Sequence, residues 1–107
     1  MTVTNKNLDR AKKLCVSLAC AMAHERGRFC GRCGSSDGLQ AHHIVPRSRG
    51  WRYAADPDNI VILCHECHAN LHAGKWQIDG SRVAYKPALI TVEEVQRWLD
   101  WLEARNG

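Results

Sequence analysis

Two Cys-x-x-Cys pairs, Cys30/Cys33 and Cys64/Cys67, bracket the histidines His42 and His43, and the second pair runs directly into His68 and His72. These side chains divide by chemistry. Four soft thiolates suit a closed tetrahedral zinc that serves structure, whereas imidazoles grouped apart from them suit an ion with open positions. Each cysteine pair puts two sulfurs on one tight turn, and two facing turns complete a tetrahedron. Binding then counts toward folding, on the order of 10 kcal/mol for structural zinc.

Spacing assigns the histidines different jobs. In a helix starting near Cys64, His68 and His72 are four residues apart and share a face, so both can reach one ion. A third ligand must come from another element, and the His42-His43 segment is the obvious donor. Neighbouring side chains on a strand point to opposite faces. One of the pair can therefore bind the ion while the other faces a substrate. Cys15 and Cys20 lack partner spacing and read as small core residues. His24 and His65 are not expected to be ligands.

The elements that must position these groups are short. Leu8, Ala11, Leu14 or Cys15, Leu18 and Met22 recur at helical spacing, which predicts an amphipathic helix over 5–26, closed by Gly27. Leu39 to Val45 is apolar and β-prone, ending at Pro46. Residues 46–58 read as an irregular loop rich in arginine, and 59–63 as a buried turn or short strand. Cys64 to Ala73 can form a helix that Gly74 closes. Asp79-Gly80 between alternating segments predicts a hairpin over 75–86. Thr91 and Glu94 form a capping box for a last helix over 91–105, with Val92, Val95, Trp98, Leu99 and Leu102 inward.

At 107 residues the chain reads as one domain near the lower end of what a single core stabilises. No apolar stretch reaches the ~18 residues needed to span a bilayer, and the first residues lack the apolar core of a secretory signal. A cytoplasmic location is the expectation. In a reducing compartment the paired cysteines read as metal ligands rather than disulfides. The net charge is +4, and residues 26–86 carry nine Lys/Arg against five acids. The positive field thus sits on the segment that holds the candidate ligands, as a polyanionic partner requires.

Together, Ala41-His42-His43-Ile44-Val45-Pro46, Asp58-Asn59-Ile60-Val61-Ile62-Leu63-Cys64 and Cys67-His68-x-x-x-His72 resemble the HNH endonuclease family. The likeness covers residues 30–72 and is greatest to the small four-cysteine type common in phages and prophages, often encoded near the genome-packaging terminase. It implies an α+β fold: a ββα-metal core with a four-cysteine structural zinc, flanked by N-terminal and C-terminal helices. It also implies His42, His68 and His72 as ligands of one catalytic divalent cation (Mg²⁺, Mn²⁺, Ni²⁺ or Zn²⁺), His43 as general base, and Asn59 as the residue that tethers the loop and orients the base. Many relatives carry Asp where this chain has His42, and three imidazoles favour transition ions over Mg²⁺.

The activity implied is metal-assisted hydrolysis of DNA phosphodiesters, by nicking or double-strand cleavage with low sequence specificity. His43 must be neutral to act, so the rate is expected to climb through roughly pH 6–7.5. The partner is double-stranded DNA, with terminase proteins a further implied partner in phage DNA processing or packaging. Arg47, Arg49 and Arg52 follow the base directly and suit phosphate contacts, with Lys75 and Arg82 as weaker candidates. Two other classes fit parts of the sequence. One is a zinc-stabilised DNA-binding module that does not cut, and the other a scaffold that docks through the acidic last helix.

Overall fold

A computed structural model describes residues 1–88 and 90–106. Helix α1 (Leu8–Arg26) and helix α4 (Val92–Asn106) pack against each other and supply most of the core. The contact face of α1 is made of small residues one turn apart, Ala11, Cys15 and Ala19, all fully buried. These admit Val95, Leu99 and Leu102 of α4, which are also fully buried. Each of those three contributes roughly 1.5–3 kcal/mol through burial.

Helix α1 begins three residues later than its periodicity predicts. Thr4 N–H donates to Asn7 Oδ1 (2.8 Å) and Asn7 N–H to Thr4 Oγ1 (3.3 Å), and this reciprocal pair holds residues 5–7 in a turn. At the other end Gly27 donates to the Ala23 carbonyl at 2.8 Å. Its φ of −110° is open to any residue. What demands glycine is proximity, since a Cβ there would sit 2.9 Å from Ile62 Cγ1.

Strands β1 (Gln40–His43) and β2 (Ile60–Leu63) form an antiparallel pair, with Gln40 opposite Leu63, His42 opposite Val61 and His43 opposite Ile60. Ile60 and Ile62 enter the main core. Leu63 belongs to a second cluster with Cys30, Cys64 and Cys67. Helix α3 (His65–His72) follows at once. Its start is capped by Cys64, whose sulfur accepts the Cys67 N–H. The order strand, strand, helix is the ββα arrangement expected from the sequence, flanked by helices at both ends.

The connection between the strands is more ordered than an irregular loop. It holds a 3₁₀ turn at Arg47–Arg49, the one-turn helix α2 (Trp51–Ala54) and a second 3₁₀ turn at Pro57–Asn59. Indole donors fix it on both sides: Trp51 Nε1 to the Lys12 carbonyl of α1 (3.0 Å), and Trp98 Nε1 of α4 to the Ala55 carbonyl (2.7 Å). Trp51 is therefore a packing residue whose polar edge is satisfied.

The hairpin expected over 75–86 does not form, and this segment carries only a 3₁₀ turn at Gly80–Arg82. Two interactions displace it. Asp79 Oδ1 accepts both the Ser81 N–H (2.9 Å) and the Ser81 hydroxyl (2.6 Å), turning the chain locally. Trp76 and Ile78 pack on the cysteine cluster instead of pairing with a strand. The capping box is half made as well. Thr91 Oγ1 accepts the Glu94 N–H at 3.1 Å, but the Glu94 carboxylate turns toward Arg52.

Candidate metal centres and the adjacent histidine

The four cysteines of the two pairs converge, with sulfurs within 4.8 Å of one another and Cys33 Sγ to Cys64 Sγ at 3.7 Å. Tetrahedral zinc with bonds near 2.3 Å sets its sulfurs about 3.8 Å apart, so the set fits that ion. Gly34, at φ 79°, closes the first turn by donating to the Cys30 carbonyl (2.9 Å). Gly31 N–H reaches the Ile62 carbonyl (2.8 Å), which ties the turn to β2. Trp76 covers the cluster, its Nε1 donating to the Cys67 carbonyl at 2.9 Å.

Electrostatics give the same reading. At Cys30, burial raises the thiol pKa, but the backbone N–H groups of Cys33, Cys64 and Arg32 outweigh it and bring the value down to about 6. At Cys67, burial and then the neighbouring thiols of Cys64, Cys33 and Cys30 push the value up to about 12. A thiolate is favoured at Cys30, whereas those of Cys33 and Cys67 are resisted. A divalent cation reverses that resistance. Cys15 is fully buried in the core, and Cys20 packs half-buried beside it.

The second set is His42, His68 and His72, whose ring nitrogens also lie within 4.8 Å of one another. His68 Nε2 is 3.2 Å from His42 Nδ1 and 3.0 Å from His72 Nε2. Bonds near 2.0–2.1 Å to a tetrahedral ion place imidazole nitrogens about 3.3 Å apart, close to what is seen. His68 Nδ1 donates to Gln40 Oε1, an acceptor, which leaves the Nε2 lone pair directed at its two partners. The pKa values of His42 and His68 are both lowered, first by burial and then by the neighbouring histidines, so the neutral ligand forms are favoured.

His43 faces away from this set, as strand alternation requires. Its Nε2 lies 2.8 Å from the Ala54 carbonyl oxygen of α2. A carbonyl can only accept, so Nε2 carries the proton and Nδ1 keeps its lone pair. Asn59, with no exposed surface, joins the two ends of the connection. Its Oδ1 accepts the Val45 N–H (2.8 Å), and its Nδ2 donates to the carbonyls of Val45 (3.0 Å) and Tyr53 (2.9 Å). It thereby fixes both the exit of β1 beyond His43 and the helix whose carbonyl holds His43.

Among the candidate phosphate contacts, Arg47, Arg49, Lys75 and Arg82 are exposed, and none is in an ion pair among the described residues. Arg52 differs, lying 3.5 Å from Glu94 of α4. His24 and His65 are exposed and stand outside both clusters. Sequence reasoning missed Gln40 and the Ala54 carbonyl. Gln40 was within reach, because it precedes His42 by two residues on one strand and so shares its face.

The segment that builds both centres, residues 30–74, matches the family model for HNH endonuclease. It is an HNH domain. Of the curated proteins, the Type IV methyl-directed restriction enzyme EcoKMcrA of Escherichia coli (strain K12) is 39% identical over 56 residues, covering 44% of this chain and 20% of that protein. Anaredoxin of Nostoc sp. (strain PCC 7120) is 42% identical over 38 residues, covering 36% of this chain and 47% of that protein. The chain thus spans a fifth and just under half of these two relatives. No solved structure gives a significant match.

Proposed function

We propose that the protein is a metal-dependent DNA endonuclease in which His43 is the general base. The observation that carries this reading is the division of labour on β1. His42 joins His68 and His72 in a three-nitrogen cluster, while the next residue, His43, has its Nε2–H engaged and its Nδ1 lone pair free. A histidine so held can take a proton from water as it attacks phosphorus, and the Ala54 carbonyl then stabilises the positive ring. Gln40 holds the His68 tautomer, and Asn59 fixes the chain on both sides of the base. Arg47 and Arg49 extend from the same connection to bind phosphate, with Lys75 beyond α3 and Arg82 further along as outer contacts. Arg52, drawn toward Glu94, takes part from the rim of that surface.

A divalent ion held by His42, His68 and His72 would supply Lewis-acid charge for a phosphate oxygen and for the leaving 3′ oxygen. The all-nitrogen donor set favours Mn²⁺, Ni²⁺ or Zn²⁺ over Mg²⁺, and the four-cysteine cluster holds a separate structural Zn²⁺. The family match supports nuclease chemistry, and the name of the Escherichia coli relative, a restriction enzyme, supports DNA as substrate. Products with 5′-phosphate and 3′-hydroxyl ends, low sequence specificity, and a role beside terminase in phage DNA packaging follow from the sequence resemblance. No helix among the described residues is long and apolar enough to cross a membrane, and a cytoplasmic location belongs to the proposal.

The test is cleavage of supercoiled plasmid by the protein and by His43→Ala, each with Mg²⁺, Mn²⁺, Ni²⁺ or Zn²⁺ and with EDTA. Metal-dependent nicking by the wild type alone supports the reading. Equal activity of the two proteins removes His43 as base. DNA binding without cleavage in any metal shifts the assignment to a zinc-stabilised binding module.

A further inference from the structure

Two clefts outside the metal centres share one wall, the indole of Trp51. The first, of about 380 Å³, lies between α1 and the connection and is lined by Lys12, Lys13, Arg47 and Asp9 besides Trp51. The second, of about 350 Å³, lies between α2 and α4, and its charged lining is Arg52, Lys86, Glu94 and Arg97. Each cleft gathers three cations around one carboxylate.

Within the protein those cations differ in how far they are matched. Lys86 is paired with the buried Asp56, Nζ to Oδ2 at 3.0 Å. Arg52 approaches Glu94 at 3.5 Å, yet Glu94 Oε2 is buried without a hydrogen-bond partner, so the pair lacks the forked contact a guanidinium can make. Lys12, Lys13, Arg47 and Arg97 form no ion pair among the described residues. Asp9 lies four residues before Lys13 on α1 and is still beyond ion-pair distance of it. Gathering like charges in a cleft costs stability, and a polyanion relieves the repulsion.

On the endonuclease reading the polyanion is the substrate. Both clefts abut residues 47–52, the chain that leaves β1 just after His43, and the Trp51 indole N–H bonds that chain to the Lys12 carbonyl. We propose that Lys12 and Lys13 of α1, beside Arg47, and Arg97 of α4, beside Arg52, are contacts to the phosphates of duplex DNA on the two sides of Trp51. These three cations lie outside residues 30–74, so the flanking helices enlarge the substrate footprint as well as completing the core. The inference rests on the endonuclease reading and adds to it the residues that hold the duplex.

The experiment is binding of a short fluorescent DNA duplex by the zinc-loaded protein, without chelator or added divalent metal, by anisotropy, over a series of salt concentrations. Each phosphate contact contributes about 0.9 to the slope of log affinity against log salt. Lys12→Gln/Lys13→Gln is expected to flatten the slope by about 1–2 and Arg97→Gln by about 1, with weakening that is uniform across DNA sequences. Lys12→Arg/Lys13→Arg is expected to keep the wild-type slope. So is Arg26→Gln, whose cation is already paired with Asp58 at 2.9 Å. Melting curves and zinc content equal to wild type show that the variants fold. Wild-type binding with unchanged slopes in both the lysine and the Arg97 variants overturns the inference and leaves the nuclease reading standing. Failure of the wild type to bind the duplex overturns both.

Discussion

The Nε2 of His43 lies 2.8 Å from the carbonyl oxygen of Ala54, and that one distance decides which nitrogen can work. The proton is held on Nε2 by a backbone group that no side-chain substitution removes, so Nδ1 is the basic atom. His43→Ala is expected to lose cleavage by roughly 10²–10⁴-fold, the usual contribution of a positioned base. Its zinc content and melting temperature should stay near wild type, because the ring is outside the cysteine cluster and only half-buried. A variant that retains a tenth of the activity, measured on supercoiled plasmid at saturating metal, removes His43 from the mechanism.

Gln40 is predicted to act through His68. Loss of its Oε1 frees the imidazole to rotate and to change tautomer, as occurs when an outer partner of a metal-binding histidine is removed. Gln40→Ala should weaken binding of the catalytic ion by about 10–100-fold, and Gln40→Glu should restore or strengthen it by accepting the same Nδ1–H with a charge. Calorimetric titration of Mn²⁺ or Ni²⁺ into zinc-loaded protein reads this directly. Unchanged affinity in Gln40→Ala would show that the contact is incidental.

Cys64 caps α3 and is proposed as a zinc ligand, and a single substitution separates the two roles. Serine can still accept the Cys67 N–H, so Cys64→Ser keeps a capping group but loses the thiolate. Removing a structural zinc forfeits on the order of 10 kcal/mol, comparable with the whole stability of a domain this size. The expected outcome is a protein without bound zinc that melts far lower or is unfolded at 25 °C. Normal zinc content by mass spectrometry, together with a cooperative melt, sinks the structural-site assignment.

Asn59 is predicted to matter for folding before it matters for rate. Asn59→Ala removes a fully buried side chain and with it the partner of the Val45 N–H and of the carbonyls of Val45 and Tyr53, both half-buried residues. An unsatisfied buried group costs about 1–3 kcal/mol, and with these groups partly open to water a loss of about 1–3 kcal/mol in chemical denaturation is expected. Asn59→Asp keeps the acceptor for Val45 but loses both donors and buries a charge, and it should do no better. Wild-type stability in Asn59→Ala contradicts the role of this side chain as the tie of the connection.

The two clusters were legible in the sequence because chelation has a period: two residues between paired cysteines, a spacing of four for helical histidines, and alternation along a strand. What the sequence did not carry depends on partners distant in the chain. The Ala54 carbonyl meets His43 only because Trp51 and Trp98 dock α2 between α1 and α4. Nothing in a lone Trp-Arg-Tyr-Ala marks it as a helix. Asp79-Gly80 looked like a hairpin turn, and local pattern lost to tertiary packing once Trp76 and Ile78 found the cysteine cluster. Arg52 could not be told from Arg47 and Arg49 by sequence, since its distinction is a carboxylate on α4.

Cys15 gives a prediction free of either metal centre. It is sealed in the apolar contact of α1 with α4, with no exposed surface, and burial, followed by the charge of Glu103, raises its thiol from 9.0 to about 11. The unfolded chain ionises this thiol near 9, whereas the folded chain holds its proton until about 11. Between those values the unfolded state has fewer bound protons, so rising pH favours unfolding. The contribution is fully present below about pH 9 and is lost as pH rises toward 11, amounting to about 2–3 kcal/mol at about 1.36 kcal/mol per pKa unit. Urea denaturation of wild type and Cys15→Ala across this range isolates the effect, because every other titrating group is common to both. The stability difference between them should shrink or reverse above pH 9 by that amount, and a constant difference would mean that Cys15 ionises in the folded protein as readily as in the unfolded chain.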